Sequence, residues 1–266
     1  AEQDQIVLTV EEAVRNSAFN FNNATSAVLS QDGKKRLVKR YTDLYSPEHI
    51  LCQCIKQILD RTFKVRYPNR NKISHDLFAT LTATIQMADF TIVKFDFKDY
   101  FNSISSIYVF EKYLRSNLTD RHEIDLIKAF VYSTKRSYAG LCTSNAIAEI
   151  IATHFDKAIR KKFSSNGVIY YERYIDDCVL VLNEHMEESE TKDLLNAVLL
   201  EVFNDTSLKC LQCKTEFNWK KFGYISRRKV LSQKCSIDFL GYEFWFSSKQ
   251  IRKGAEITIQ IGRAHV

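Results

Sequence analysis

The string Tyr174-Ile175-Asp176-Asp177 sets two adjacent carboxylates between two apolar runs, Val168 to Tyr171 and Cys178 to Leu182. Apolar runs flanking a polar tip read as a β-hairpin, so the acidic pair sits where the chain reverses. A third carboxylate, Asp96, lies at the end of Phe90 to Phe97, a β-branched and aromatic stretch with the length of a buried strand. Strands from distant parts of a chain can lie side by side in one sheet, and the three aspartates would then converge. Converging anionic oxygens are what two-metal phosphoryl transfer needs. They hold ions roughly 4 Å apart, which lower the pKa of an attacking hydroxyl and steady the leaving pyrophosphate. Hard oxygen ligands and phosphate substrates select Mg²⁺, two ions, over zinc. An aspartate pair at a turn is by itself ordinary turn chemistry. The aromatic Tyr174 and apolar Ile175 before it, and the apolar strand after it, set this pair apart.

The elements that must position these side chains show in the periodicity. The first 33 residues read as a short helix and a loop without a motif, and Pro47-Glu48 opens a helix through Leu59. Arg61 to Lys72 reads as an extended basic loop turning at Pro68, and Asp76 to Met87 as a helix. Helical patterns recur over Ile107 to Leu118 and Asp120 to Tyr132. A long amphipathic helix follows through about Phe163, capped by Ser144 or Thr143. Gly167 breaks the chain before the acidic hairpin. Glu187 to Phe203 then reads as a helix, Lys214 to Trp219 as a strand, and Phe239 to Phe246 as a strand or hairpin arm. The order predicts an α+β fold, a split βαβ antiparallel sheet with helices packed behind it.

Other residues line up around the aspartates. Phe101 follows Asp96 by five residues, Gly140 precedes Ser144 by four, and Lys214-Thr215 is followed by Phe239-Leu240-Gly241-Tyr242. In this order and spacing the chain resembles the reverse transcriptase family from about Arg61 to Phe246. The resemblance implies a right-hand fingers and palm without its thumb. It also implies an RNA- or DNA-directed DNA polymerase that extends a primer on a nucleic-acid template with deoxynucleoside triphosphates. Asp96, Asp176 and Asp177 would be its metal ligands, and Phe101, beside Tyr100, its steric gate against a ribose 2′-hydroxyl. Gly140 and Ser144 resemble the motif at the head of the long palm helix. Lys214 resembles the lysine that helps pyrophosphate leave, and Phe239 to Tyr242 the primer grip. Arg66, Arg70 and Lys72 lie where the family's fingers meet triphosphate. Ala139 and Asn145 stand where the family usually has Gln and Pro, which puts nucleotide selectivity or template use in question. With Tyr67-Pro68-Asn69-Arg70, this variation looks most like the bacterial defence branch, the abortive-infection and retron-like enzymes. That likeness implies a role in phage defence. The weighed alternative is a palm-fold module that binds nucleic acid without catalysis.

Composition agrees with a nucleic-acid partner. The whole chain carries +6, but Lys34 to Lys72 alone holds eleven basic residues against Asp43, Glu48 and Asp60, a net +8. Tyr41, Tyr45, Phe63 and Tyr67 lie among them, cations for phosphates beside rings for bases. With 45% hydrophobic residues in 266, the chain can bury a core as one large or two small domains. The expected division is an N-terminal segment 1–33, fingers 34–92 and palm 93–260, with 119–139 packing near the fingers. The seven cysteines and the absence of a leader favour reduced thiols in a cytoplasmic protein, and no apolar run suits a bilayer. Ala1 stands in place of an initiator methionine and few residues follow the primer-grip string, so a fragment is expected. Ile261-Gly262-Arg263-Ala264-His265-Val266 resembles a translated sequencing-adapter read and is expected to be non-native. The sequence leaves the oligomeric state open.

Overall fold

The structure, a computed structural model, describes residues 2–31, 34–252 and 254–263. In chain order, α1 (Glu2–Arg15) precedes an antiparallel hairpin of β1 (Thr25–Gln31) and β2 (Lys34–Arg40). Helices α2 (Pro47–Phe63) and α3 (Arg70–Thr84) lead to strand β3 (Thr91–Lys98) and the single turns α4 (Tyr100–Ser103) and α5 (Ser106–Val109). Next come α6 (Arg121–Thr134), the long α7 (Cys142–Lys162), β4 (Val168–Tyr174) and β5 (Asp177–Leu182). The remainder is α8 (Glu188–Phe203), β6 (Glu216–Phe217), β7 (Gly223–Ser226), α9 (Arg227–Ser232), β8 (Cys235–Phe239), β9 (Tyr242–Ile251) and β10 (Gly254–Arg263). The α+β class read from the sequence holds, and among the described residues every strand pair is antiparallel. Among the described residues no helix is long and apolar enough to cross a membrane.

The chain forms two compact units. One comprises Ala1–Arg66, Asp99–Thr153 and Phe203–Thr215; the other comprises Tyr67–Lys98, His154–Val202 and Glu216–Val266. In the second unit β3 is the central strand, paired with β5 on one side and with β6 and β7 on the other. Thr91 through Phe97 are buried without a break, as a strand covered on both faces must be. Alternation sorts them. Ile92 faces a cluster with Val179, Val181 and Ile225, covered by Leu77 and Leu81 of α3 and by Phe244 and Phe246 of β9. Phe95 and Phe97 face the other way, around Phe155 of α7 and Phe217. Deleting one such buried leucine would cost about 2–5 kcal/mol, so the sheet's position is firmly held.

In the first unit Phe21 packs edge-on against Phe130 of α6 at 5.3 Å, and the Tyr41 hydroxyl donates to Phe21 O at 3.0 Å. Gly140, at φ +98°, lies under β2, and a Cβ there would stand 2.5 Å from Lys39 O. The seven cysteines are free thiols, and Cys213 Sγ accepts a bond from Ser105 N.

Several expected boundaries move. Lys34 to Arg40, read only as the start of a basic run, is a strand, because β1 supplies the hydrogen-bonding partner that a charged heptapeptide does not announce. The basic loop from Arg61 to Lys72 shrinks. α2 runs on to Phe63, and the Asn69 side chain accepts from Lys72 N to start α3 at Arg70. α7 begins at Cys142, so neither Thr143 nor Ser144 is its cap; the Thr143 hydroxyl donates to Cys52 O instead. The strand expected over Lys214 to Trp219 is confined to Glu216–Phe217 and runs into a 3₁₀ turn. Ile107 to Leu118 is not one helix but α5, a π turn and a 3₁₀ turn. Of the expected tail, Arg263 pairs with Tyr242 in β10, and Ala264, His265 and Val266 lie outside the described residues. Gly140→Ala should lower stability by about 1–3 kcal/mol, the range for a residue forced into a disallowed backbone region, read as an earlier urea midpoint. An unchanged midpoint would show that β2 yields freely.

Candidate active site

Asp96 is the sixth residue of β3 and Asp177 the first of β5, and the register sets them directly opposite each other. Phe97 N donates to Asp176 O at 3.1 Å, which makes 97 and 176 the bonded pair and 96 and 177 the non-bonded one. Side chains approach most closely in non-bonded pairs, with Cβ atoms about 4.5–5.5 Å apart on one face. Lys94 is two residues earlier on β3 and shares that face. Two carboxylates about 5 Å apart repel by roughly 3 kcal/mol at an effective dielectric near 20, so cations must offset them.

Two lysines do so. Lys94, 2% exposed, places Nζ 3.2 Å from Asp177 Oδ1 and 3.9 Å from Asp238 Oδ2. Lys221 bonds Asp96 Oδ2. Burial raises the Asp177 pKa above the usual carboxylate value; Lys94 pulls it back, while Asp176 and Asp96 push it up again. Burial pulls the Lys221 pKa down, but its bond to Asp96 and the charges of Asp96, Asp177 and Asp176 carry it above an ordinary lysine. Asp96 Oδ1 is buried without a hydrogen-bond donor, and Asp177 Oδ1, also buried, has the Lys94 ammonium beside it in place of an aligned hydrogen bond. Two such anionic oxygens on one sheet face are a donor set that suits a hard divalent cation. Among the described residues no three Asp, Glu, His or Cys side chains stand together as a ready cage. The structure therefore brings together two of the three expected aspartates. Asp176 occupies the turn one residue out of the pleat, where its charge still reaches Asp177 and Lys221.

The turn that carries Asp176 is held from behind. Tyr174 pairs with Asp177, leaving Ile175 and Asp176 as a two-residue loop. Ile175 has φ +59° and Asp176 is not in the positive region, the pattern of a type II′ hairpin turn. A β-branched residue there is strained. Arg173, buried on the opposite face, binds both oxygens of Asp156 on α7 and donates from Nη1 to Ile175 O at 3.0 Å. In the same unit Arg70 Nη2 donates to Leu240 O at 2.7 Å. It braces the turn in which Phe239 pairs with Tyr242 while Leu240 and Gly241 take φ +51° and +79°. Lys72 is exposed on the first turn of α3.

The remaining expected residues belong to the first unit. Tyr100 is buried and donates its hydroxyl to Ala148 O, so it serves as a platform for Phe101, whose ring meets it edge-on at 5.5 Å. Ser144 is fully buried, and its Oγ has no hydrogen-bond partner. Lys214 has an exposed side chain and donates its backbone N–H to Ser103 O at 2.7 Å; Arg66 is exposed before α3. Sequence reasoning missed Lys94, Lys221, Arg173 and Asp156. Lys94 could have been found, since a lysine two residues before a strand-end aspartate shares its face.

Comparison with known proteins shows the family and the fold. The sequence matches the family described as Reverse transcriptase (RNA-dependent DNA polymerase) over residues 33–244. No curated protein matches it. Among solved structures it is similar to an apo telomerase from Candida tropicalis truncated from the C-terminal domain, with TM-score 0.56 and 11% identity. That match covers 98% of this chain and 60% of the other. A telomerase from Candida albicans in complex with a TWJ fragment of telomeric RNA is also similar, with TM-score 0.53 and 13% identity over 88% of this chain and 47% of the other. The chain thus spans less than two thirds of both, and at these identities the likeness is one of fold.

The bracing of the acidic turn can be measured. Arg173→Met should lower stability by about 2–4 kcal/mol, less than the ~3–5 kcal/mol of a fully buried pair because Asp156 keeps some exposure. Chemical denaturation reads it, and a loss below about 1 kcal/mol, the worth of a surface pair, would show that the turn holds itself.

Proposed function

The chain belongs to the reverse transcriptase family, and from that premise we propose that it adds deoxynucleotides to a primer end by two-metal nucleotidyl transfer on a nucleic-acid template. The observation that carries the proposal is the cross-strand pair of Asp96 and Asp177 on one sheet face, with Asp96 Oδ1 buried and without a hydrogen-bond donor. These two residues would hold divalent metal, with Asp176 orienting from the turn. Two Mg²⁺ ions, when bound, would acidify the attacking 3′-hydroxyl and stabilise the departing pyrophosphate. Lys94 offsets the charge of Asp177, and the sheet register holds the backbones that carry the two carboxylates opposite each other before any ligand arrives. By family resemblance Phe101 selects against a 2′-hydroxyl, with Gly140 and Ser144 in the same motif set and Lys214 aiding pyrophosphate release. Arg66, Arg70 and Lys72 would meet triphosphate, and the turn at Leu240-Gly241 would guide the primer.

A second reading, a palm that holds nucleic acid without chemistry, is favoured by one observation. Asp96 and Asp177 each already have a lysine, so part of the site's negative charge is offset without a metal. Metal dependence separates the two. Mg²⁺ together with a deoxynucleoside triphosphate should raise the melting temperature of the enzyme, and binding indifferent to metal would favour the module. Asp177→Asn and Asp176→Asn should each abolish nucleotide incorporation by the full-length protein, as followed by primer extension. A variant with wild-type rates would refute the assignment of that residue.

A further inference from the structure

The strand that flanks β3 opposite β5 is interrupted beside Asp96. Phe97 pairs with Phe217, and Lys94 pairs with Gly223. Three steps along β3 thus correspond to six on its partner, so three extra residues bulge out opposite Phe95 and Asp96. The bulge is anchored. Asn218 N donates to Asp96 O at 2.8 Å, Lys221 N donates to Asn218 O at 2.9 Å, and the Trp219 ring meets Phe217 and Phe222 edge-on. Its product is Lys221, delivered onto Oδ2 of Asp96.

The two site lysines differ in how freely they can leave. Lys94 is 2% exposed and lies between Asp177 and Asp238, so its ammonium would lose both partners without gaining water. Lys221 is 52% exposed, on a flexible four-carbon stem, and regains full hydration by turning outward. While it holds Oδ2, Asp96 offers a cation Oδ1 alone.

We infer that Lys221 is an internal counter-cation that competes with divalent metal for Asp96, so that the bulge carrying it sets how tightly the site takes metal. This rests on the metal-carboxylate reading above. A cation arriving between Asp96 and Asp177 repels the ammonium and shares its ligand, so the two exclude each other. Asp96 is neutralised by the chain until metal takes over, and metal affinity is held down by the exchange.

Calorimetric titration of Mn²⁺ into the full chain tests this, with Lys221→Gln compared against Lys220→Gln. The second variant removes the same charge from the same bulge, but its ammonium is not the one bonded to Asp96. Lys221→Gln should bind Mn²⁺ about ten-fold more tightly, and Lys220→Gln should stay within about two-fold of wild type, as a screened surface charge would. In EDTA, Lys221→Gln should melt below wild type, with the gap narrowing at saturating Mn²⁺. Equal tightening by both variants, or weaker binding by Lys221→Gln, would overturn the inference while leaving the metal site standing. Mn²⁺ binding that Asp96→Asn does not reduce would instead overturn the metal reading, and this inference with it.

Discussion

Asp96 and Asp177 face each other across two hydrogen-bonded strands at a spacing that like charges resist, and much of the second unit serves to keep them there. Repulsion of roughly 3 kcal/mol is comparable to the effect of a core substitution, so the pairing persists because the register cannot slip. A one-residue slip would turn Ile92, Val179 and Val181 out of their cluster and Phe95 out of the aromatic group on the other face. Burial on both faces of β3 therefore fixes the carboxylates, and two lysines offset what repulsion remains. The same arrangement leaves Asp96 Oδ1 buried without a hydrogen-bond donor, while the Lys94 ammonium stands 3.2 Å from Asp177 Oδ1.

Strain at the hairpin tip follows from the same constraint. A two-residue loop is the shortest that returns β5 beside β4, and it forces Ile175 to a positive φ. Arg173 meets that strain from the far face by binding the Ile175 carbonyl while paired to Asp156. The loop at Leu240-Gly241 is built similarly, with Arg70 on its carbonyl. In both, a guanidinium braces a tight turn through a carbonyl, Arg173 from the hairpin's own strand β4 and Arg70 from α3, which keeps the loops stiff without enlarging the core.

How much of this could be read beforehand depended on whether the information was local. The acidic hairpin, β3 and the long helix carry their own periodicity, and their motif spacing was enough to suggest the family. The β1–β2 hairpin was not legible because Lys34 to Arg40 shows charge where a strand pattern would be sought. The bulge before Gly223 was invisible for a different reason. It exists by register against β3, a relation between segments more than 100 residues apart that no local pattern encodes. Lys221 belongs to the same class, since its partner Asp96 is remote in sequence, whereas Arg173 meets Asp156 on the neighbouring helix through the packing of α7 on β4. Lys94 was within reach, because alternation alone places it on the face of Asp96.

The central claim is that the facing pair shares a cation, and diffraction from crystals grown with Mn²⁺, using its anomalous signal, addresses it most directly. The account predicts a peak bound by oxygens of both Asp96 and Asp177 at roughly 2.0–2.4 Å, the range for hard divalent cations. Clear density with those carboxylates on different faces of the sheet, or a metal held elsewhere with both aspartates still on their lysines, would contradict it.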